Sequence, residues 1–203
     1  MPNDQLWAPW RLAFIKGDDR PRAVDPSTLK LLPGADPACF LCRAVAGQGE
    51  PADRENLLVH RGSHAVVVLN RYPYNNGHLL VAPALHKARL DQLTADEHLD
   101  VQQLIARLIL ILEQAMNAEG FNVGLNLGRV AGAGLPGHVH WHVVPRWNGD
   151  TNFMSVLGGV DVIPQSLDAL WQLLRAALAG AATGPPAPPP YKPSPAPPAT
   201  SAR

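Results

Sequence analysis

Residues 137–146 read Gly-His-Val-His-Trp-His-Val-Val-Pro-Arg, with three histidines at alternate positions: His138, His140 and His142. Imidazoles this close cannot all carry a proton cheaply, so at least one is expected neutral near pH 7, free to act as nucleophile or metal ligand. A second group with chemistry is Cys39-Phe40-Leu41-Cys42, which holds both cysteines of the chain. Its spacing suits two thiolates of a structural zinc site, and two further ligands would complete a tetrahedron. The competing reading is a redox pair, but such a pair normally opens a helix within a thioredoxin-like βαβ unit, and no such unit surrounds it.

These groups need elements to position them. β-formers between and after the histidines predict one strand over residues 137–146, with the three imidazoles on one face and Val139, Trp141 and Val143 on the core face. Trp141 is therefore expected in the core rather than as a platform for a base. Upstream, residues 57–60 and 64–69 read as antiparallel strands joined by a turn at 61–63, and a third strand runs from His78 to Ala82, ended by Pro83. Residues 70–76, with two tyrosines, a proline and three asparagines, form a loop.

Thr94-Ala95-Asp96-Glu97 is a capping box. It opens a helical period through Val101, Leu104, Ile105, Leu108, Ile109, Leu112, Ala115 and Met116, with Gly120 as the expected stop. A fourth strand over 121–127 leads into the glycine-rich stretch 128–137, whose main-chain N–H groups could approach an anion closely. Leu167, Leu170, Trp171, Leu174 and Leu178 predict a last helix ending at Gly180. His60, His64 and His98 are expected at the surface.

Lysine plus arginine equals aspartate plus glutamate at 17 each, so no global basic field points to nucleic acid. A phosphate-bearing ligand must then be held locally. The most apolar run, residues 104–112, contains Arg107 and falls far short of the roughly 20 residues needed to span a bilayer. The start of the chain lacks the pattern of a secretory signal, and the sparse cysteines suit a reducing compartment; a cytoplasmic protein without a membrane anchor is expected. Residues 1–35 form an arm carrying Trp7 and Trp10, expected to lie on the domain or on a second subunit. Residues 36–180 make the domain. Residues 181–203, with nine prolines between 185 and 198, form a tail expected to be disordered or polyproline II.

The string His138-Val139-His140-Trp141-His142-Val143-Val144 resembles the signature of the histidine-triad (HIT) nucleotide hydrolases and transferases. Leu69-Asn70-Arg71, Pro73 and Gly77-His78-Leu79-Leu80-Val81 look like that family's first nucleotide-binding segment, so the likeness covers residues 39–147. The flanks Trp7-Ala8-Pro9-Trp10-Arg11 and 145–153 are similar to the bacterial branch that contains diadenosine tetraphosphate phosphorylases.

The resemblance implies an α+β fold: an antiparallel sheet of about five strands, the long helix on one face and nucleotide on the other, assembled as a homodimer or larger. It implies His140 as nucleophile toward the α-phosphorus, with a main-chain carbonyl on its other ring nitrogen. His142 would be donor to phosphate or to the bridging oxygen. Asn70 matches the residue that meets the ribose hydroxyls, and His78 one that supports the site. Asn126, ahead of the glycine-rich stretch, is placed to reach phosphate, and Gly134 could offer a main-chain N–H. Relatives carry a hydroxyl or amide side chain at the position of Gly134; Arg129 or Asn76 are candidates to replace it. In zinc-bearing relatives the remaining ligands match His86 and His138, making zinc a structural neighbour of the nucleophile. The implied activity is cleavage of dinucleoside polyphosphates with inorganic phosphate as acceptor. The alternatives are hydrolysis of such substrates or of nucleoside phosphoramidates by water, and a nucleotide-binding adaptor that docks partners through the proline-rich tail.

Overall fold

The computed structural model of the chain describes residues 29–150 and 163–180. The expectations for the arm before residue 29, for residues 151–153 and for the proline-rich tail lie outside the described residues. The element order is α1 (Phe40–Ala46), α2 (Gly49–Glu55), β1 (Leu58–Arg61), β2 (Ala65–Leu69), β3 (Leu79–Pro83), α3 (Ala95–Met116), β4 (Gly120–Leu125), β5 (Trp141–Arg146) and α4 (Leu167–Gly180). The five strands form one antiparallel sheet in the order β1-β2-β3-β5-β4, giving the α+β class expected.

β2 and β3 are buried along their whole length, as their continuous Val and Leu content requires of central strands. α3 packs on β3 and β2, and α4 packs on β1 and α3. One core joins Leu58, Val67, Val81, Trp141 and Val143 of the sheet with Val101, Leu108 and Leu112 of α3 and Leu170, Trp171 and Leu174 of α4. The Trp171 indole N–H donates to the Leu58 carbonyl at 2.8 Å, fixing α4 on the first strand. α4 is thus a core helix.

The capping box at Thr94 forms as the spacing predicts. The Glu97 N–H donates to Oγ1 of Thr94 at 3.3 Å, and Oε2 of Glu97 accepts from the Thr94 N–H at 2.7 Å. The same buried carboxylate pairs with Lys87 Nζ at 2.7 Å. The N-terminus of α3 thereby anchors the segment that carries His86. The helix ends earlier than expected: Asn117, in the left-handed conformation at φ 52°, caps it, and Gly120 opens β4. Asparagine tolerates that conformation because its short amide can bond locally.

The strand expected over 137–146 is shorter. Ladder pairing starts at Trp141, and residues 138–140 instead run against the segment after β3, with the Val139 N–H donating to the Lys87 carbonyl at 2.7 Å. The two seven-residue helices α1 and α2 were not expected from the sequence. The cysteine pair does open a helix, since Cys39 is the N-cap of α1 and its Sγ accepts from the Cys42 N–H at 3.5 Å. No parallel strand pair accompanies it among the described residues, so the βαβ setting of a redox pair is missing there. His64 is exposed as expected, but His60 and His98 are half-buried. His98 Nε2 donates to the Leu90 carbonyl at 3.1 Å, and burial against Arg107 lowers the His60 pKa below the usual imidazole range.

Candidate functional site

Approaching β5, the chain presents its histidines to two different surroundings. His138 is fully buried and turns to the cysteines: its Nδ1 lies 3.3 Å from Cys39 Sγ and 3.6 Å from Cys42 Sγ. His86 Nδ1 lies 3.2 Å from Cys42 Sγ. The four ligand atoms all fall within 4.8 Å of one another. A tetrahedral zinc with bonds of about 2.0–2.3 Å needs ligand-to-ligand edges of roughly 3.3–3.8 Å; the edges of 3.2, 3.3 and 3.6 Å match, and a small closure of the widest would seat the ion. Nε2 of His138 donates to the Pro83 carbonyl at 2.9 Å, which leaves the lone pair on Nδ1 aimed at the thiols. Burial holds His138 down to about 4 and Cys39 up to about 12, so in the absence of a cation the cluster prefers neutral groups. A dication reverses that preference for the thiols.

His140 and His142 form the other surroundings, with ring centroids 5.1 Å apart at 65°. Nδ1 of His140 lies 2.8 Å from the carbonyl of His138. A carbonyl only accepts, so Nδ1 carries the proton and in the neutral ring Nε2 holds the lone pair. That is the arrangement a nucleophilic imidazole needs.

The tautomer of His142 follows from a longer chain of bonds. The Tyr74 N–H donates to Nδ1 of the fully buried His78 at 3.1 Å, and Asn70 Nδ2 donates to the same atom at 3.2 Å. Burial, with the His142 and His140 rings alongside, pushes the His78 pKa to about 3, so the ring is neutral and its proton sits on Nε2. That Nε2 lies 2.9 Å from Nδ1 of His142 and donates to it. The neutral His142, whose own pKa is lowered by burial and by His140, then carries its proton on Nε2. One ring thus offers a lone pair and its neighbour an N–H, the pair of functions that in-line attack on phosphorus requires.

His140 is itself buried, and strand pairing leaves open the flank of His142. Opposite His142 stand Leu80 on β3 and Gly124 on β4, and directly paired residues share a face. A side chain at Gly124 would meet nothing within 4 Å, so the strand beside His142 is open.

The other expected residues are distributed less tightly. Asn70 bonds His78, and its Oδ1 accepts from the Tyr72 N–H at 3.0 Å, so it shapes the loop that ends at the site. Asn126 is half-buried at the end of β4, and Gly134 is exposed with open space where a side chain would be. Arg129 is exposed in a short 3-10 turn of the glycine-rich stretch. Asn76 does not replace the missing side chain at 134: it is buried and its amide donates to Gln165 Oε1 at 2.8 Å. Tyr74 was missed altogether. The signal for it was a tyrosine on each side of Pro73 in a loop running into Gly77-His78.

The antiparallel sheet, the paired tautomers of His140 and His142 and the cysteine-histidine cluster behind them define a histidine-triad protein. The family model of the HIT domain matches residues 53–149, and the chain belongs to that family. It is 39% identical over 170 residues to the AP-4-A phosphorylase of Mycobacterium tuberculosis, covering 84% of this chain and 82% of that one. It is 26% identical over 133 residues to an adenosine 5'-monophosphoramidase of Schizosaccharomyces pombe, covering 66% and 92%. Among solved structures, a zinc-bound histidine triad family protein from Mycobacterium smegmatis aligns with a TM-score of 0.57 at 25% identity, covering 72% of this chain and 96% of that one. The named relatives are enzymes, and no described helix of this chain is long and apolar enough to cross a membrane.

Proposed function

We propose that this chain is a nucleotidyl transferase that cleaves dinucleoside polyphosphates in the manner of a diadenosine tetraphosphate phosphorylase, through a nucleotidyl-histidine on His140. The observation that carries the reading is the 2.8 Å bond from His140 Nδ1 to the His138 carbonyl, which puts the lone pair on Nε2. Nε2 attacks the α-phosphorus, the bond from that phosphorus to the bridging oxygen breaks, and the nucleoside polyphosphate leaves with the electron pair. Nε2–H of His142 stabilises the charge that develops on the phosphate oxygens. In the second step inorganic phosphate attacks the same phosphorus, the phosphorus–nitrogen bond breaks, and His140 recovers its lone pair. Asn70 serves the ribose, His78 supports His142, and Asn126 and the Gly134 N–H serve the phosphate chain.

Zinc held by Cys39, Cys42, His86 and His138 belongs to this proposal as a structural ion. When bound it supplies charge to stabilise the two thiolates and ties α1, the segment after β3 and the approach to β5 together. The donor set and the zinc-bound relative support it. A reducing cytoplasm, suited to two buried free thiols, and self-association as a homodimer complete the reading. The solvent-facing edge of β4, with Asn122, Val123 and Gly124 exposed, is where a second sheet could add.

Product identification tests the acceptor. Diadenosine tetraphosphate with inorganic phosphate should yield ADP and ATP; AMP and ATP formed equally well without phosphate would make the enzyme a hydrolase. Labelled substrate quenched in alkali should leave acid-labile label on the protein, and an equal yield from His140→Ala would remove the nucleophile from position 140.

A further inference from the structure

Tyr74 is an aromatic residue left 63% exposed in the loop between β2 and β3, where burial would ordinarily claim so large a ring. Its position is nevertheless tightly defined. The ring lies nearly parallel to that of His142, with centroids 5.9 Å apart at 26°, and 4.8 Å from that of His78 at 36°. Its main-chain N–H is the donor that fixes His78 Nδ1, and His78 Nε2 in turn fixes His142. One residue therefore touches His142 twice, by its ring directly and through His78 by its backbone. From the other side the His140 ring meets His142 edge-on at 5.1 Å. Unlike His142, Tyr74 has no ladder partner to hold it, so it is placed by these ring contacts and by the turn in which it sits.

We propose that Tyr74 is a positioning residue: its stacked ring limits the tilt of the His142 imidazole and so keeps the Nε2–H, whose tautomer the His78 bond sets, directed at the phosphate oxygens. This rests on the nucleotidyl-transfer reading of the same site and names a residue that reading does not use. An imidazole beside an open glycine has freedom to turn about its χ2 axis, because that torsion is broad and roughly two-fold. The His78 bond favours one of the two ring flips; the Tyr74 face restricts the tilt within it. Aromatic neighbours prefer such offset stacking, and the gain is large enough to select among rotamers. The effect belongs to the reacting geometry rather than to ground-state affinity, so it appears in kcat.

The test uses the full-length enzyme, with Tyr74→Phe and Tyr74→Leu. Tyr74→Phe keeps the ring and should turn over within about twofold of the parent, whereas Tyr74→Leu should lose about three- to tenfold in kcat, the size of an aromatic stacking contribution, with KM little changed. Side-chain spectra at pH 7.5 should show His142 protonated at Nε2 in all three proteins, because the main-chain N–H that fixes His78 is kept, with the His142 ring carbons shifted and more mobile in Tyr74→Leu alone. Two results would overturn the proposal: a rise in KM alone, which would make Tyr74 a platform for the base, or an unchanged His142 spectrum in Tyr74→Leu. Should the parent fail to cleave dinucleoside polyphosphates at all, the function reading falls, while the His142 spectra still decide whether Tyr74 sets that ring.

Discussion

His138 and His142 lie four residues apart in one extended run, yet the first faces two thiols and the second a tyrosine and a histidine. Both rings have one nitrogen committed to a fixed partner, the Pro83 carbonyl for His138 and His78 Nε2–H for His142. The outcome is opposite. At the cysteine end the uncommitted atoms, Nδ1 of His138, Nδ1 of His86 and two sulfurs, converge on one point. At the other end they do not converge: His140 keeps a lone pair on Nε2 and His142 a proton on Nε2. Four convergent donors suit a cation, whereas one lone pair beside one N–H suits the phosphate under attack that we propose. The same residue type serves both because the second hydrogen bond of each ring decides what the first nitrogen can do.

The sharpest way to break this contrast is to remove one ring from the His140–His142 end. His140→Ala should lower turnover of diadenosine tetraphosphate by at least about a thousandfold, the scale of losing a covalent nucleophile. Its metal content should stay that of the parent, because His140 contributes no atom to the cysteine cluster. A variant that loses its metal together with its activity would show that the two ends are one site.

The converse substitution acts on the convergent end. Cys39→Ser should lose the bound zinc, measured by elemental analysis against about one ion per chain in the parent, and should be less stable to denaturant unfolding by several kcal/mol. The loss has one source, the ion that no longer offsets the burial of Cys42, because a serine hydroxyl can still cap α1. A Cys39→Ser protein as stable as a zinc-loaded parent would leave the cluster without a structural ion.

Much of this division was legible in the sequence, though its boundary was not. The alternating histidines and the cysteine spacing pointed to the groups that meet, and the family resemblance added His86 after Pro83. What the alternation could not give was the break after His140, where residues 138–140 leave the ladder for the Lys87 carbonyl. A period of two looks the same in a paired strand and in an extended approach to one. The bond from His78 to His142 joins residues 64 apart, and it depends on β3 pairing with β5 so that Leu80 stands opposite His142. The helices α1 and α2 are seven residues each, too short for an apolar stripe to declare itself. The same holds for buried Asp53 on α2, which pairs with Arg61 at 2.7 Å and Arg175 at 3.5 Å to tie α2, β1 and α4 together. Neither arginine is near it in the sequence.

His78 provides a smaller test, through pH. Its pKa is about 3 when folded against an ordinary 6.5, because burial and the His142 ring disfavour its charge. Below 6.5 the unfolded chain therefore takes up a proton that the folded chain refuses. The resulting loss of stability is absent above 6.5, grows as pH falls, and is complete near 3. Between pH 7.5 and 4.5 this group should contribute about 2–3 kcal/mol of destabilisation. Urea unfolding of the parent and of His78→Gln at both pH values isolates it, since the variant should lose that share of the pH dependence. Equal pH dependence in the two proteins would mean that His78 is not held neutral, and the assigned proton on His142 Nε2 would lose its support.

The smallest expected effect separates the two ends without touching a ring. Gly77 precedes His78 with φ at +77°, and a Cβ there would come within 3.0 Å of the Met116 sulfur and 3.1 Å of Pro145 Cγ. Alanine would pay both for the left-handed backbone and for the crowding against the end of α3, about 1–3 kcal/mol in all. The Met116 thioether can swing aside but the Pro145 ring cannot, so the loop relieves that contact by lifting away from β5, which would carry His78 from its 2.9 Å bond to His142. Gly77→Ala should therefore lower stability and kcat modestly while leaving zinc content at the parent's value, because Cys39, Cys42, His86 and His138 are reached from α1, from the segment after β3 and from the approach to β5. Loss of zinc in this variant would show that a strain beside His78 reaches the cysteine cluster through β3, and that the two ends are mechanically one.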